Sequence, residues 1–561
     1  MNTLVHPVTS TPTCASAPPP RPLAWESALL PDLLLRSAER TPQAVALVCD
    51  GQVLSYSALQ TQVQQCTNAL LGLGIARGER VGIYLEKCMQ AVVASFAAAA
   101  AGAVLVPINP VLKPEQVGFI LRDCDVRLLV TSAHRHALLA PLLAPPHPAH
   151  GVRHVLLSHA PEDTIATQGV SPVPTTHWDS LASFAPRCGH RVIDTDMAAI
   201  FYTSGSTGGP KGVVLSHRNL VLGAKSVASY LGNHAQDRLL AALPLSFDAG
   251  FSQLTTAFHV GARAVLLTPL LARDVLCTME TQAITGLTAV PALFIQLARL
   301  DWPAGIDQSL RYFANTGGRM PLHTLNALRQ RVPSASPFLM YGLTEAFRST
   351  CLMPGEVAQR PDSIGRAIPH AEILVLREDG TPCGVDEPGE LVHRGALVAM
   401  GYWNDPVRTA ERFRVLPAAA GVRQAGQPLP EYAVFSGDTV RQDAEGFLYF
   451  VGRRDELIKT SGYRVSPTEV EEVLYASALV DECIAFGVDH AELGQAIQVI
   501  ATPATGSAAG SAELLLRCRQ HMPAYMVPGA VTWLQGPLPR NPNGKIDRVR
   551  LVQNWRRQHA S

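Results

Sequence analysis

The feature that most constrains this chain is the run YTSGSTGGPKGVVLSH at residues 202–217. Glycines and hydroxyl residues are closely spaced there, so the backbone can bend sharply and turn N–H groups and hydroxyls toward one anion. The run therefore predicts a phosphate-binding loop. Its candidate phosphate ligands are Thr203, Ser204, Gly205, Ser206, Thr207, Gly208 and Lys211.

The spacing argues against the best-known phosphate loop, the Walker A motif, which runs Gly, four residues, Gly-Lys-Ser/Thr and leads into a helix. Lys211 has the Walker spacing, but Pro210 replaces the glycine before it and Gly212 replaces the hydroxyl after it. The apolar flanks at 198–202 and 213–215 are both typical of strands, so the loop should join two strands. A flexible connector is the other alternative, and the lysine and both apolar flanks disfavour it.

At these residues the loop resembles the signature of the adenylate-forming superfamily, which includes acyl-CoA synthetases, adenylation domains of nonribosomal peptide synthesis and luciferases. The resemblance extends over the chain from about Ala24 onward. It implies an α/β fold, with a large N-terminal domain of layered α/β subdomains and a small, mobile α+β C-terminal domain. A chain of 561 residues also exceeds the usual size of a single core. We expect a disordered tail at 1–23, the large domain at 24–452 and the small domain at 453–561.

The composition excludes several classes of partner. Basic and acidic residues are equal at 46 each, which leaves no basic field for a nucleic acid. The cysteines contain no C-x-x-C pair, so neither a zinc site nor a disulfide framework is expected. No secretory signal is visible, which makes the cytoplasm the default location. The apolar run at 89–107 is short and rich in alanine, so we expect a buried helix leading into a strand rather than a membrane span.

The segment at 243–254 resembles the part of the family that lines the acid pocket. In amino-acid-activating relatives an aspartate, here Asp248, pairs with the α-ammonium group of the substrate. A carboxylate in an apolar pocket needs such a cation or hydrogen bonds to offset its desolvation. The alternative is that Asp248 only caps a helix. The resemblance adds further lining positions, several of them small, which implies a roomy pocket: Ala249, Ser252, Thr288, Ala314, Thr316, Met340, Arg348 and Ser349.

Arg348 is unusual in this set because a buried guanidinium normally requires an anionic partner. It either meets a polar or anionic group of the substrate or pairs with Asp248 inside the protein. In the second case the argument for an amino acid substrate fails.

Two segments resemble the nucleotide-binding motifs of the family. The run NTGG at 315–318 resembles the adenine-binding turn, with Asn315, Gly317 and Gly318 as candidates. In the run YGLTEA at 341–346 the resemblance implies that Tyr341 stacks on adenine and Thr344 contacts the α-phosphate. It also implies that Glu345 holds Mg²⁺, an ion that prefers hard oxygen ligands. ATP and Mg²⁺ are therefore the expected cofactors.

A third segment supplies candidates for the ribose. The carboxylate of Asp438 could accept hydrogen bonds from both ribose hydroxyls, and Arg453 could brace it. Since Asp438 follows a glycine, an ordinary turn residue is the alternative.

The C-terminal part of the chain carries the last candidates. A charged segment at 452–462 is typical of a hinge, and Asp455 matches the pivot position of the family. The resemblance implies that Gly462 lines the thiol tunnel after the small domain rotates. Lys545 follows Asn-Gly on a tight turn. It would ordinarily be a solvated surface charge, but the resemblance makes it the catalytic lysine.

Together these residues imply an ATP-dependent acid–thiol ligase. A carboxylic or amino acid would attack the α-phosphorus of ATP to give acyl-AMP and pyrophosphate, with catalysis by positioning and charge. The acyl group would pass to the phosphopantetheine thiol of CoA or of a carrier protein supplied in trans. The alternatives are transfer to another acceptor, a luciferase-like oxygenase and, less favoured, a P-loop NTPase or kinase.

Overall fold

The computed structural model describes residues 27–144, 151–158, 173–205, 208–422, 426, 428–453, 456, 458–460, 463–490, 493–504, 510–542 and 544–559. The predicted tail at 1–23 lies outside these residues.

The first of three sheets has seven strands in the order β7-β6-β5-β3-β4-β8-β9. All of its pairs are parallel except β8 with β9, which form an antiparallel hairpin. The strands are β3 (Arg80–Tyr84), β4 (Val104–Pro107), β5 (Val126–Ser132), β6 (His154–Ser158), β7 (Thr175–His177), β8 (Met197–Gly205) and β9 (Gly208–Ser216).

The second sheet has fourteen strands in the order β17-β18-β20-β21-β16-β15-β14-β13-β12-β10-β11-β1-β2, with β19 on β20. It is parallel from β1 through β14 in space and becomes antiparallel at the β14–β15 pair. Its parallel part and edge contain β1 (Val45–Cys49), β2 (Gln52–Ser55), β10 (Arg238–Ala241), β11 (Arg263–Leu266), β12 (Gly286–Ala289), β13 (Tyr312–Asn315) and β14 (Ser336–Tyr341). Its antiparallel part contains β15 (Thr350–Leu352), β16 (Ser363–Ala367), β17 (Ala371–Leu376), β18 (Gly389–Gly395), β19 (Phe413–Val415), β20 (Tyr432–Gln442) and β21 (Leu448–Arg453).

Most helices of the large domain cover the parallel strands, as βαβ connections require, whereas α12 packs on β19 and β20. They are α1 (Leu30–Arg40), α2 (Tyr56–Gly72), α3 (Met89–Ala101), α4 (Pro114–Asp123), α5 (Ala133–Leu143), α6 (His217–Leu231), α7 (Asp248–Val260), α8 (Ala272–Thr281), α9 (Pro291–Ala298), α10 (Gly305–Ser309), α11 (Leu322–Arg331) and α12 (Pro406–Arg412). Residues of α1, α2, α3, α6 and α7 share one buried core with strands of both large sheets.

The third sheet is small and belongs to the C-terminal part of the chain. It contains β22 (Ile458–Thr460), β23 (Tyr463–Val465), β24 (Val480–His490), β25 (Gly494–Pro503) and β26 (Ala530–Trp533), in the order β23-β22-β25-β24 with β26 on β25. Helices α13 (Pro467–Ala476) and α14 (Ser511–His521) pack on this sheet in a core of their own, and α15 (Arg548–His559) packs on it through a second cluster. The fold is thus a large N-terminal domain and a smaller C-terminal one, which confirms the expected class. The large sheet ends at Arg453, and the boundary at 452/453 remains a proposal.

The run at 89–107 forms α3, which is buried on nearly all sides, followed by β4. Gly102 ends the helix with φ of +80°, a conformation that favours glycine. This confirms the predicted buried helix and strand. None of the described helices has the length and apolar character needed to cross a bilayer.

Candidate active site

The candidate residues converge because of strand direction. Strands β10, β12, β13 and β14 run parallel, so their carboxyl ends meet at one edge of the sheet. Asn315 ends β13, Tyr341 ends β14, and Asp248 begins α7 after the loop that leaves β10. Residues far apart in sequence therefore lie around a single cleft.

The predicted phosphate loop joins strand β8 to strand β9, as the sequence predicted, and it does not cap a helix. The register pairs Thr203 with Lys211 across the hairpin. The Thr203 hydroxyl is a buried oxygen with no hydrogen-bond partner among the described residues. A buried polar atom of this kind calls for a ligand, and a phosphate oxygen would satisfy it. Ser206 and Thr207 lie outside the described residues, and Ser204, Gly205 and Gly208 are described as strand backbone only.

Lys211 contacts the predicted metal ligand directly. Its Nζ lies 3.0 Å from Oε1 of Glu345 and donates to the hydroxyl of Tyr402 at 2.8 Å. The Tyr402 hydroxyl in turn donates to the same carboxylate oxygen at 2.6 Å. Burial opposes ionisation of Glu345, but the lysine and the hydroxyl outweigh it, so its pKa lies below the ordinary value. The carboxylate is therefore ionised, as a metal ligand must be.

Tyr402 is a member of this cluster that the sequence did not identify. It belongs to the run GYW at 401–403, whose backbone lies along β9: Trp403 N–H donates to Gly212 and Val214 N–H donates to Gly401. No local pattern in this run signals the contact with Glu345.

The predicted adenine and ribose residues contact each other. The Tyr341 hydroxyl donates to Asp438, and Arg453 Nε lies 3.7 Å from the other carboxylate oxygen. Strands β20 and β21 pair Asp438 directly with Arg453, which fixes this contact. Burial raises the pKa of Asp438, although Tyr341 and Arg453 oppose the shift. A carboxylate beside an aromatic ring at the cleft is consistent with a nucleoside site.

Asn315 begins the turn at 315–318 that the sequence predicts to bind adenine. Its side chain donates to Gly318 O at 2.8 Å and accepts from Met340 N–H at 3.2 Å. The Asn315 amide therefore shapes the turn and ties it to β14. Gly317 adopts φ of +77°, which favours glycine.

Lys545 reaches this turn from the C-terminal domain. A Cβ built on Gly317 would lie 3.1 Å from Lys545 Cε and 3.5 Å from its Nζ, so the lysine side chain packs closely against this glycine. The residue as a whole retains solvent exposure, as predicted, but its ammonium group lies among protein atoms. This burial lowers the pKa of Lys545, and the nearby carboxylates of Asp248 and Asp438 oppose the shift. The lysine thus lies in the cleft of the large domain.

Asp248 pairs with Arg348 inside the protein. Arg348 Nη1 lies 3.1 Å from one oxygen of Asp248, and Thr344 Oγ1 donates to the other oxygen at 3.1 Å. The structure therefore selects the second of the two alternatives for Arg348, and the argument for an amino acid substrate fails. Asp248 is also not a helix cap, because Phe247 holds the N-cap position of α7.

A tight turn aims Arg348 at this carboxylate. Phe347 has φ of +60° and ψ of −63°, and Arg348 N–H donates to Ala346 O at 2.6 Å. This is a γ-turn of the strained form, which bulky residues rarely adopt. The Phe347 ring is fully buried against Gly223, where a Cβ would lie 2.3 Å from a ring carbon. No pattern in the sequence signals such a turn.

A cavity lies between α6, α7 and the parallel strands. Five predicted positions line it, which are Ala249, Ser252, Thr288, Met340 and Arg348. Its volume is about 20 Å³, which is room for about one water molecule. Larger side chains from α6, β10 and β13 also line this cavity.

The remaining predicted positions have other surroundings. Ala314 and Thr316 are buried and Ser349 contacts His393 Nδ1 at 2.9 Å, and none of the three lines the cavity that the described residues enclose. The predicted hinge residue Asp455 and the predicted tunnel residue Gly462 lie outside the described residues.

Comparison with known proteins adds the following findings. A family model described as AMP-binding enzyme matches residues 34–403, and one described as AMP-binding enzyme C-terminal domain matches residues 469–545.

Two curated relatives differ strongly in length. Tyrocidine synthase 3 of Brevibacillus parabrevis is 28% identical over 525 residues, which make up 92% of this chain but 8% of that protein. The L-proline--(L-prolyl-carrier protein) ligase of Pseudomonas fluorescens is 29% identical over 538 residues, which make up 94% of this chain and 99% of that one.

Among solved structures, the anthranilate CoA ligase AuaEII in complex with anthranoyl-AMP superposes with a TM-score of 0.83. The match covers 96% of this chain and 99% of the other at 24% identity, so it establishes the fold alone.

Proposed function

This chain belongs to the AMP-binding enzyme family, and from that premise we propose that it is an AMP-forming acid–thiol ligase. It converts a small carboxylic acid to its acyl-AMP at the expense of ATP and transfers the acyl group to a phosphopantetheine thiol. The thiol belongs to CoA or to a carrier protein. The relatives include a carrier-protein ligase, and the sequence also resembles acyl-CoA synthetases, so the proposal covers both acceptors.

The observation that carries the proposal is the position of Lys545. Its ammonium lies against Gly317 and close enough to Asp248 and Asp438 for their charges to affect its pKa. Asp248 contacts Thr344, whose neighbour Glu345 contacts Lys211. Lys545 therefore lies within electrostatic range of Asp248, and Asp248 is linked through Thr344 and Glu345 to the predicted phosphate-binding lysine.

In the first half-reaction, a carboxylate oxygen of the acid bonds to the α-phosphorus of ATP. The bond from that phosphorus to the bridging oxygen breaks, and pyrophosphate leaves with the electron pair. The nucleophile is already ionised, so no general base is needed. Lys545 stabilises the negative charge that the carboxylate and the α-phosphate bring together, which is catalysis by preorganised charge.

The residues at the other end of the cleft fit a magnesium nucleotide. Lys211 and Glu345 form an ion pair, and a magnesium nucleotide brings an anion for the lysine and a cation for the carboxylate. The orphan hydroxyl of Thr203 supplies a further donor. Bound Mg²⁺ would neutralise phosphate charge. Tyr341 and Asp438 hold the nucleoside through stacking and ribose hydrogen bonds.

In the second half-reaction, the thiol sulfur attacks the acyl carbon and AMP leaves. We propose that the small domain rotates about the segment that contains Asp455, which withdraws Lys545 and brings Gly462 to the thiol. This requires the lysine to matter in one half-reaction only.

The proposal is tested with Lys545→Ala and a matched control, Arg550→Ala, which removes an exposed cation from α15 of the same domain. Loss of one preorganised charge should slow acid-dependent pyrophosphate release by about 10² to 10³. Thioester formation from preformed acyl-AMP should change far less, and the control should match the parent. ATP cleavage to ADP, or pyrophosphate release that needs no acid, would refute the proposal.

A further inference from the structure

The pair formed by Asp248 and Arg348 bears on which acid the site accepts. We infer that Arg348 takes the place of a substrate ammonium group. The site then selects acids that carry no cationic group beside the carboxylate. The tail of such an acid brings an uncharged oxygen to the guanidinium of Arg348. This inference rests on the proposed function, because it concerns the acid consumed in the proposed reaction.

The negative charge of Asp248 is already balanced by groups of the protein. One of its oxygens accepts a hydrogen bond from Arg348 Nη1 at 3.1 Å, and the other accepts one from the Thr344 hydroxyl at 3.1 Å. Both partners come from the segment that follows β14. The carboxylate therefore has its counter-ion and a hydrogen bond before any substrate binds, and it does not need an ammonium group to offset desolvation.

The backbone turn and the surrounding packing fix the position of the Arg348 side chain. The strained γ-turn at Phe347 directs the arginine inward, and Arg348 Nη1 also donates to Phe347 O at 2.7 Å. A Cβ on Gly342 would lie 2.9 Å from Arg348 Cα, so the arginine also packs against a position without a side chain. Strain of this kind persists only where the surrounding structure enforces it. The side chain is held and cannot swing away to make room for a second cation.

The cavity beside the pair is lined by two buried polar groups that lack hydrogen-bond partners among the described residues. Arg348 is 4% exposed, and its Nε has no hydrogen-bond partner among the described residues. The Thr256 hydroxyl, which is 3% exposed by residue, is also without a partner there. Both residues line the same cavity. A hydroxyl or carbonyl oxygen of the acid would accept from Arg348, and a hydroxyl would satisfy both groups.

The charges around the pair favour an uncharged group. Arg348 and Asp248 cancel, while Lys545 lies close enough to feel both charges. An ammonium group would compete with Arg348 for Asp248 and face two cations. Juxtaposed like charges cost several kcal/mol, so we expect discrimination against the amino acid of about 10² or more.

The inference is tested with acids of one carbon skeleton that differ in a single group: the unsubstituted acid, its hydroxy derivatives and its 2-amino derivative. Acid-dependent ATP–pyrophosphate exchange is measured over a series of skeletons of increasing length. The parent should prefer a hydroxy acid over the unsubstituted acid and reject the amino acid. Efficient exchange with amino acids, or no gain from any hydroxyl, overturns the inference and leaves the proposed function intact. No exchange with any acid overturns both.

Variants of the pair provide the sharper test. Arg348→Met frees Asp248, so exchange with the 2-amino acid should rise by about tenfold or more relative to the unsubstituted acid. Asp248→Asn frees Arg348 and should shift preference toward an acid with a second carboxylate. The double variant, which leaves no unpaired charge and so guards against misfolding, should show neither gain. If Arg348→Met and the double variant gain amino acids equally, pocket size and not charge governs selection, and the inference fails.

Discussion

Two ion pairs join the large domain to the small one, and we expect their removal to release Lys545 from the cleft and to slow only the first half-reaction. Arg299, the C-cap residue of α9, binds Asp481 through both terminal guanidinium nitrogens, at 2.7 and 3.1 Å. Arg319, directly after the turn that contacts Lys545, lies 2.5 Å from Glu472 of α13. We expect the double variant Arg299→Gln, Arg319→Gln to weaken the arrangement in which the lysine reaches the acid.

The magnitude follows from exposure. The four side chains are between 26% and 50% exposed, and such pairs contribute about 0–1 kcal/mol each. A combined loss of about 1 kcal/mol lowers the relative population of the closed arrangement by about fivefold. Pyrophosphate exchange at saturating acid should fall by up to that factor. The parent should approach the variant at high salt, because exposed pairs are screened.

The control is Arg377→Gln, which breaks an exposed pair with Glu387 within the large domain. Because Arg319 also adjoins the adenine turn, the exchange Arg319→Glu with Glu472→Arg separates the two roles. It should restore activity if the ion pair is what matters. The assay compares pyrophosphate exchange with single-turnover thioester formation from acyl-AMP. Equal losses in both half-reactions, or a loss equal to that of the control, would refute the reasoning.

Three further predictions follow from buried groups. Burial lowers the pKa of Lys545 from 10.5, so adenylation should decline at a lower pH than for an ordinary lysine, and Lys545→Arg should move that decline upward in a pH–rate profile. Burial lowers the pKa of His217 and His393 from 6.5 to about 4, so the stability that each contributes is present above pH 6.5 and lost as pH falls toward 4. Urea unfolding should show a loss of about 2 kcal/mol per histidine between pH 7 and pH 5, and His393→Gln should flatten the dependence. Gly223→Ala should destabilise the fold by about 1–3 kcal/mol by displacing the Phe347 ring, and an unchanged denaturation midpoint would contradict this.

The sequence predicted those helices and strands whose bounds depend on nearby residues, such as caps and short apolar runs. Helix α2 begins after Ser55 because this N-cap residue accepts from Ala58 N–H, and its apolar positions recur at helical spacing. The strands on both sides of the phosphate loop were predicted from their short apolar runs. The pairing order of the fourteen-stranded sheet was not, because β1 and β11 pair across about two hundred residues and no local signal encodes such a partner.

In the candidate site, too, the sequence predicted features that depend on residue type and missed those that depend on tertiary packing. The order of motifs predicted that Lys211, Glu345 and Lys545 serve one nucleotide, because their residue types match the charges of the reaction. The sequence left the partner of Arg348 open because that partner depends on the backbone turn at Phe347. A positive φ at a phenylalanine contradicts local preference, so tertiary packing against α6 decides it.

The cleft thus contains two ion pairs that differ in what can replace them. Lys211 and Glu345 are 19% and 13% exposed, and a magnesium nucleotide supplies a partner for each of them. Arg348 is only 4% exposed, and an amino acid substrate would offer a cation to Asp248 while leaving the guanidinium buried and unpaired. Breaking a buried pair costs about 3–5 kcal/mol when one charge loses its partner. We therefore expect the first pair to open for the nucleotide, and the second to persist and exclude the ammonium group.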